Sequence, residues 1–435
     1  MAEQTDKNLR NQLIYQVFVR NYSEEGSFAA VERDLGRIAA LGVDIVYLLP
    51  IHPVGTEKRK GTLGSPYAIR DYRAVNPEYG TIEAFRRLTE AIHARGMKCM
   101  IDVVYNHTSP DSVLAAEHPG WFYHRPDGAF GNRVGDWTDI IDLDYAEAAL
   151  WEYQIETLKE WARLVDGFRC DVAPIVPLAF WERARREAER VHPGLIWLAE
   201  SVEPGFLLHL RGRGMTAHSD GELYRAFDIC YDYDIYGDWR CCLSGEDSLR
   251  AYADAVNRQE YSYPENYVKL RFLENHDQPR AASLIPDSRA LRSWTAFSFF
   301  QKGTAFLYAG QEYGATRRPG LFDKDTVTLA PENGTDLTPL IRAMMRLKRS
   351  ALFRDGGYQV TAEDGGVLVA SYESAGLRSA GVFPVRGSGG SVRVPLPDGL
   401  WREYLTGASV EVARGSVRCA GEPMLLLPEK GVFSE

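Results

Sequence analysis

Short runs rich in β-branched and aromatic residues recur along the chain, separated by longer stretches whose apolar positions repeat every three or four residues. The runs are LIYQVFV (13–19), IVYLLP (45–50), KCMIDVVY (98–105), GFRCDV (167–172), LIWLAES (195–201), AFDICYD (226–232), YVKLRFLENHD (267–277) and TAFLYAGQE (304–312). Their length and near-continuous apolarity predict eight strands buried on both faces, as in a parallel sheet. Between the first two runs, Phe28, Val31, Leu35, Ile38 and Leu41 follow helical spacing. Phe85, Leu88 and Ile92 mark a second helix, and Trp151, Ile155, Leu158, Ala162 and Val165 a third within 146–165. Strict alternation of this kind predicts an α/β fold, a (β/α)8 TIM barrel. An open doubly wound sheet fits less well. No G-x-G-x-x-G follows the first strand, and polar residues collect at the C-terminal ends of several strands.

Two stretches break the alternation. Residues 108–145 separate the third strand from its helix, far more than the usual few residues, and predict a small subdomain over the barrel mouth. After the helical segment 337–352 the pattern changes to short strands with Gly-rich turns, as in GVLVASYES, RSAGVFPV and SVRVPLPDG, which predict a β-sandwich. The expected domains are a barrel over 1–107 and 146–352, an inserted subdomain over 108–145, and a C-terminal β-sandwich over 353–435. The acidic, aromatic stretch DICYDYDIYGDW after the sixth strand reads as a solvated loop beside outer parts of a site.

Composition narrows the choice of partners. A chain of 435 residues, 45% hydrophobic, can bury a large core, and its net charge of -10 speaks against neutralising phosphates, so nucleic acid is not an expected partner. Six cysteines without a C-x-x-C pair read as free thiols. The N-terminal sequence has no basic, apolar, cleavable signal and no apolar run could span a bilayer, so the expected location is cytoplasmic, away from membranes.

The strand ends carry the chemistry. In GFRCD, Arg169 and Asp171 lie on one strand face, either as an ion pair that holds the core or as part of a site. The other ends supply Asp102, Asn106 and His107 in DVVYNH, Glu200 in WLAES, and His276 and Asp277 in ENHD. At corresponding depths in one barrel, Asp171, Glu200 and Asp277 converge on a single bowl.

These four stretches, in this order at the ends of strands three, four, five and seven, resemble the signatures of the α-amylase family of retaining α-glycoside hydrolases and transglycosylases. The resemblance extends over nearly the whole chain. It implies Asp171 as nucleophile, Glu200 as acid/base, and Asp277 as a third carboxylate that grips ring hydroxyls, the division of labour that retention requires. Arg169 would keep the nucleophile ionised and aimed, His107 and His276 would bond sugar hydroxyls, and Tyr67 in GSPYAIRDY would form an aromatic platform. Asp102 reads as structural. Arg280, in HDQPR, resembles members that trim short oligosaccharides from one end and is expected at the substrate.

The chain departs from the family where many members follow the nucleophile with Lys-His; here Pro174 and Ile175 stand in those places. Of the family's usual calcium ligands only Asn106 and Asp142 remain as metal candidates, so no cofactor is expected to be required and a structural calcium stays open. The expected activity is hydrolysis of α-linked, α-1,4 gluco-oligosaccharides or maltodextrins. The alternative is a 4-α-glucanotransferase or related transglycosylase, and a catalytically inactive sugar-binding relative is disfavoured by the complete carboxylate trio.

Overall fold

In the computed structural model, which describes residues 4–386 and 389–428, eight parallel strands close into a barrel. They are β1 (Leu13–Val17), β2 (Ile45–Leu48), β3 (Lys98–Val103), β4 (Gly167–Cys170), β5 (Ile196–Ala199), β6 (Ile229–Tyr231), β7 (Val268–Arg271) and β8 (Thr304–Tyr308). Neighbours follow chain order around the ring, and β8 closes onto β1. Apart from Lys98 at the start of β3, every residue of these strands is buried. This is why they read as unbroken apolar runs: one face points into the barrel and the other against the helices.

Register sets the depth of the side chains at the mouth. Asp102 pairs with Arg169, and Arg169 pairs with Leu198. Asp171 and Glu200 therefore sit at matching heights, each one step beyond its strand. Just past β4 the backbone leaves the sheet. Val172, predicted to continue the strand with Phe168 and Cys170, instead adopts φ 37°, ψ 44° and caps a short 3-10 turn over Ala173–Ile175. A β-branched residue in this left-handed region is strained and needs its surroundings to hold it.

Three connections at this end of the barrel are long: 49–81, 104–147 and 309–337. The sequence pattern had marked only the middle one. It holds a short antiparallel pair, His107–Thr108 with Ile141–Asp142, and a helix over Val113–Glu117. A second correction concerns the acidic stretch after β6. It is no loop but a helix, Tyr233–Ser244, burying Tyr233, Tyr236 and Trp239. Tyr236 stacks 5.1 Å from Phe272 and Trp239 meets Trp294 edge-on at 6.1 Å, so tertiary packing of one aromatic face overrides the polar composition.

The C-terminal part is a six-stranded antiparallel sheet beginning at Gly357, with a two-stranded sheet over it. Val369, Val382 and Leu426 of the first meet Val392 and Val417 of the second in a separate small core. Residues 387–388 and 429–435 of the expected sandwich, and residues 1–3 of the expected barrel, lie outside the described residues. All six cysteines are unpaired, and among the described residues no helix is long and apolar enough to cross a membrane.

Candidate active site

At the C-terminal mouth of the barrel, a fully buried guanidinium collects the carboxylates of three neighbouring strands. Arg169 Nη1 donates to Asp102 at 2.8 and 3.0 Å and to Asp171 Oδ1 at 2.8 Å. Its Nη2 lies 2.5 Å from Glu200 Oε1, an ion pair outside hydrogen-bonding angles. The strained Val172 has a use here: its N–H donates to Glu200 Oε2 at 2.8 Å. Asp102 is wholly buried and also accepts from Tyr47 and from Tyr67 Oη at 3.1 Å, so it holds Arg169 rather than facing the cavity.

Desolvation pushes Asp171 up to about 7 and Glu200 up to about 8, against the pull of Arg169. The two carboxyls titrate as a pair. Asp171 accepts a well-aligned bond from Arg169 and Glu200 one from the Val172 amide, and Glu200, raised the further of the two, more readily keeps a proton when the pair holds one. This is the split in character that a nucleophile and an acid need.

Asp277 lies beyond β7, its side chain 41% exposed at the cavity. Enclosure raises its pKa, but His276 Nε2 at 3.0 Å, together with the charges of Arg169 and Arg318, holds it below the usual carboxylate range. The His276 tautomer follows from its neighbours. Gln16 Nε2 donates to Nδ1 at 2.9 Å, leaving the proton on Nε2, which faces Asp277 and Tyr67 Oη at 2.6 Å. Tyr67 stacks on His276 with ring centroids 5.5 Å apart. His107 is buried, pushed down to about 4 by desolvation and hence neutral at ordinary pH, and its ring lies 5.7 Å from Trp137.

Asp171, Glu200, Asp277, Tyr67 and His107 line one cavity of about 320 Å³. Arg169 and His276 support it from beneath. Arg280 does not join them. It is fully buried, with Nη1 on Glu274 at 2.6 Å, Nη2 on the Ala309 carbonyl at 2.9 Å, and its guanidinium over Tyr308. It fastens the β7 loop to the end of β8, and the expectation that it binds sugar gives way to that role. Sequence reasoning missed Lys60, Trp137, Asp139 and Phe322, all of which line the cavity. Trp137 had one usable signal, an aromatic residue inside the insertion after β3.

Of the two metal candidates, Asn106 and Asp142, each is engaged by a neighbouring side chain, while Asp142 Oδ1 is buried without a partner. Asp142 Oδ2 accepts the Arg133 amide at 2.7 Å, and the Arg133 guanidinium stands 3.7 Å from both Asp142 and Asp144. Asn106 directs its Nδ2 to His107 Nδ1 at 3.2 Å. Calcium takes six to eight oxygens, whereas here a side-chain cation already stands beside the two carboxylates. Among the described residues no group of three or more His, Cys, Asp or Glu could hold a metal. Ile175, in place of the family's histidine, lines a separate cavity beside Asn106 and Asp142.

A closed barrel with this bowl of carboxylates is the architecture of the α-amylase family, and the chain belongs to that family. Residues 13–120 and 240–349 match the family description "Alpha amylase, catalytic domain", and 359–426 match "Bacterial Alpha amylase C-terminal domain". Among solved structures, an α-amylase from Lactobacillus plantarum is 48% identical with a TM-score of 0.94, covering 97% of this chain and 99% of that one. A noncanonic maltogenic α-amylase from Thermotoga neapolitana is 33% identical with a TM-score of 0.86, covering 96% and 99%. Among curated relatives, an alpha-1,4-glucan:maltose-1-phosphate maltosyltransferase from Pseudomonas aeruginosa is 38% identical over 229 residues, 46% of this chain. The matched stretch spans only about a third, 34%, of that relative's length.

Proposed function

We propose that this protein is a retaining α-glycoside hydrolase of α-1,4-linked gluco-oligosaccharides. The observation that carries the reading is the single buried arginine shared by Asp171 and Glu200, with Asp277 across the same cavity. In the first step Glu200 gives its proton to the glycosidic oxygen as the C1–O bond breaks, and Asp171 bonds to C1. In the second, ionised Glu200 takes a proton from water as the water oxygen displaces Asp171 from C1. Asp277, kept anionic by His276, accepts bonds from ring hydroxyls and favours the distorted, positively charged sugar between the two steps. Tyr67 and neutral His107 complete the seat.

The transferase reading keeps every role and replaces water with a sugar hydroxyl. The maltosyltransferase relatives favour it, and the near full-length match to structures named α-amylases favours water. A product time course from maltopentaose labelled at its reducing end, with Asp171→Asn as control, separates the two. Shorter sugars alone are expected; products longer than the substrate mean transfer, and activity that survives Asp171→Asn removes the nucleophile assignment.

A further inference from the structure

One side of the cavity is walled by three loops tied to one another. Lys60, from the loop after β2, reaches Asp139 of the insertion after β3 at 2.9 Å, and Asp139 is almost wholly buried. The same ammonium lies 5.8 Å over the Phe322 ring, from the loop after β8. Backbone contacts hold these loops together. Leu63 and Gly64 donate to the Phe322 carbonyl at 2.9 and 3.1 Å, and Thr62 bonds Asp323 through both its N–H and its hydroxyl. The approach at Gly61 is so close that a Cβ there would fall 2.6 Å from Phe322 Cβ. Beneath them the buried Arg20 donates to the carbonyls of Gly64 and Leu321, one on each loop. On the other flank Thr56 bonds Asp111 of the insertion. The effect of this half-buried ion pair is to close the gap between walls already anchored.

The position of this collar in the ring gives it a direction. Its loops follow β8, β2 and β3, an arc centred between β1 and β2, and the opposite point of the ring of eight lies between β6 and β5, which carries Glu200. On the proposed mechanism Glu200 protonates the departing oxygen, so the leaving part of the substrate lies on its side. The part retained on Asp171 points at the collar.

We infer that the Lys60–Asp139 bridge and Phe322 close the retained-sugar side of the site into a dead end, so that the enzyme accepts α-glucan chains only by their non-reducing ends. Lys60 and Asp139 are then specificity-determining residues. The inference rests on the proposed function, and its test is built to fail separately from it.

The probes are a nitrophenyl maltoheptaoside with a free non-reducing end and the same compound carrying an ethylidene cap on its terminal hydroxyls. Wild-type protein is expected to turn over the free compound at least about 100-fold faster than the capped one, the discrimination a steric wall gives. Lys60→Ala, Asp139→Ala and the double variant are each expected to narrow that ratio about 10-fold, the double no more than the singles because both open one gap. Equal turnover of capped and free substrate by the wild type, or an unchanged ratio in all three variants, overturns the inference. Calorimetric binding of both compounds to Asp171→Asn reads the wall without turnover. Binding of the free compound alone upholds the dead end even if hydrolysis fails, and equal binding of both overturns it.

Discussion

Glu200 is gripped by Arg169 on one side and by the Val172 amide on the other, yet burial still lifts it to about 8. A carboxyl raised in the folded state favours folding while it is protonated. That advantage is complete below the ordinary carboxyl range of about pH 4 and is lost as pH rises to about 8. Glu200→Gln cannot ionise, so its Tm is expected to exceed the wild-type value by several degrees at about pH 8 and to approach it at about pH 4. Melts at the two pH values check this, and a shift of equal size at both contradicts it. The same variant is expected to lose about 10²–10⁴ in kcat, the usual contribution of a positioned general acid. Arg169 was legible as a paired charge because Asp171 stands two positions away on the same strand face. Arg280 was not, because the sequence after His276 gives no direction for a side chain that turns inward to Glu274 instead of out to the cavity.

The strands were readable because burial on both faces leaves a chemical trace at every position. The long connections leave none. Lys60, Asp139 and Phe322 come from three irregular segments far apart in sequence, and only the closed barrel brings them to one rim. Likewise the helix Tyr233–Ser244 looked polar until its aromatic face found Phe272 and Trp294. The insertion after β3 is held by an internal cation, and from this follows its response to chelators. EDTA is expected to leave the melting temperature unchanged, whereas Arg133→Met, which removes the ion pairs to Asp142 and Asp144 but keeps the backbone amide bond to Asp142, is expected to cost up to about 1 kcal/mol. Thermal melts with and without chelator decide it; a large fall with EDTA in the wild type would restore a bound metal to the account.

Barrel and C-terminal sheet share one core. Phe300 packs on Phe353, Tyr372 and Phe383 with ring centroids 5.0, 5.5 and 5.4 Å away, and Asn257 bonds Val360 through both its amide groups. Removing everything after Gly356 would bare this aromatic face, so the truncated chain is expected to aggregate or melt well below the full chain, which should unfold in a single calorimetric transition. Two separate transitions, or a truncated barrel with an undiminished Tm, would show the sheet to be an independent appendage. The Lys60–Asp139 closure bears on traffic as well as on choice of substrate. A chamber with one door must let the first product out before anything else can come in. While that sugar lingers in the doorway it blocks water, and when it turns round, or another sugar follows it, a hydroxyl arrives first. The balance between cutting and transfer is then set by how long the doorway stays occupied, and the polar and apolar surface beside Glu200 becomes the place to alter it.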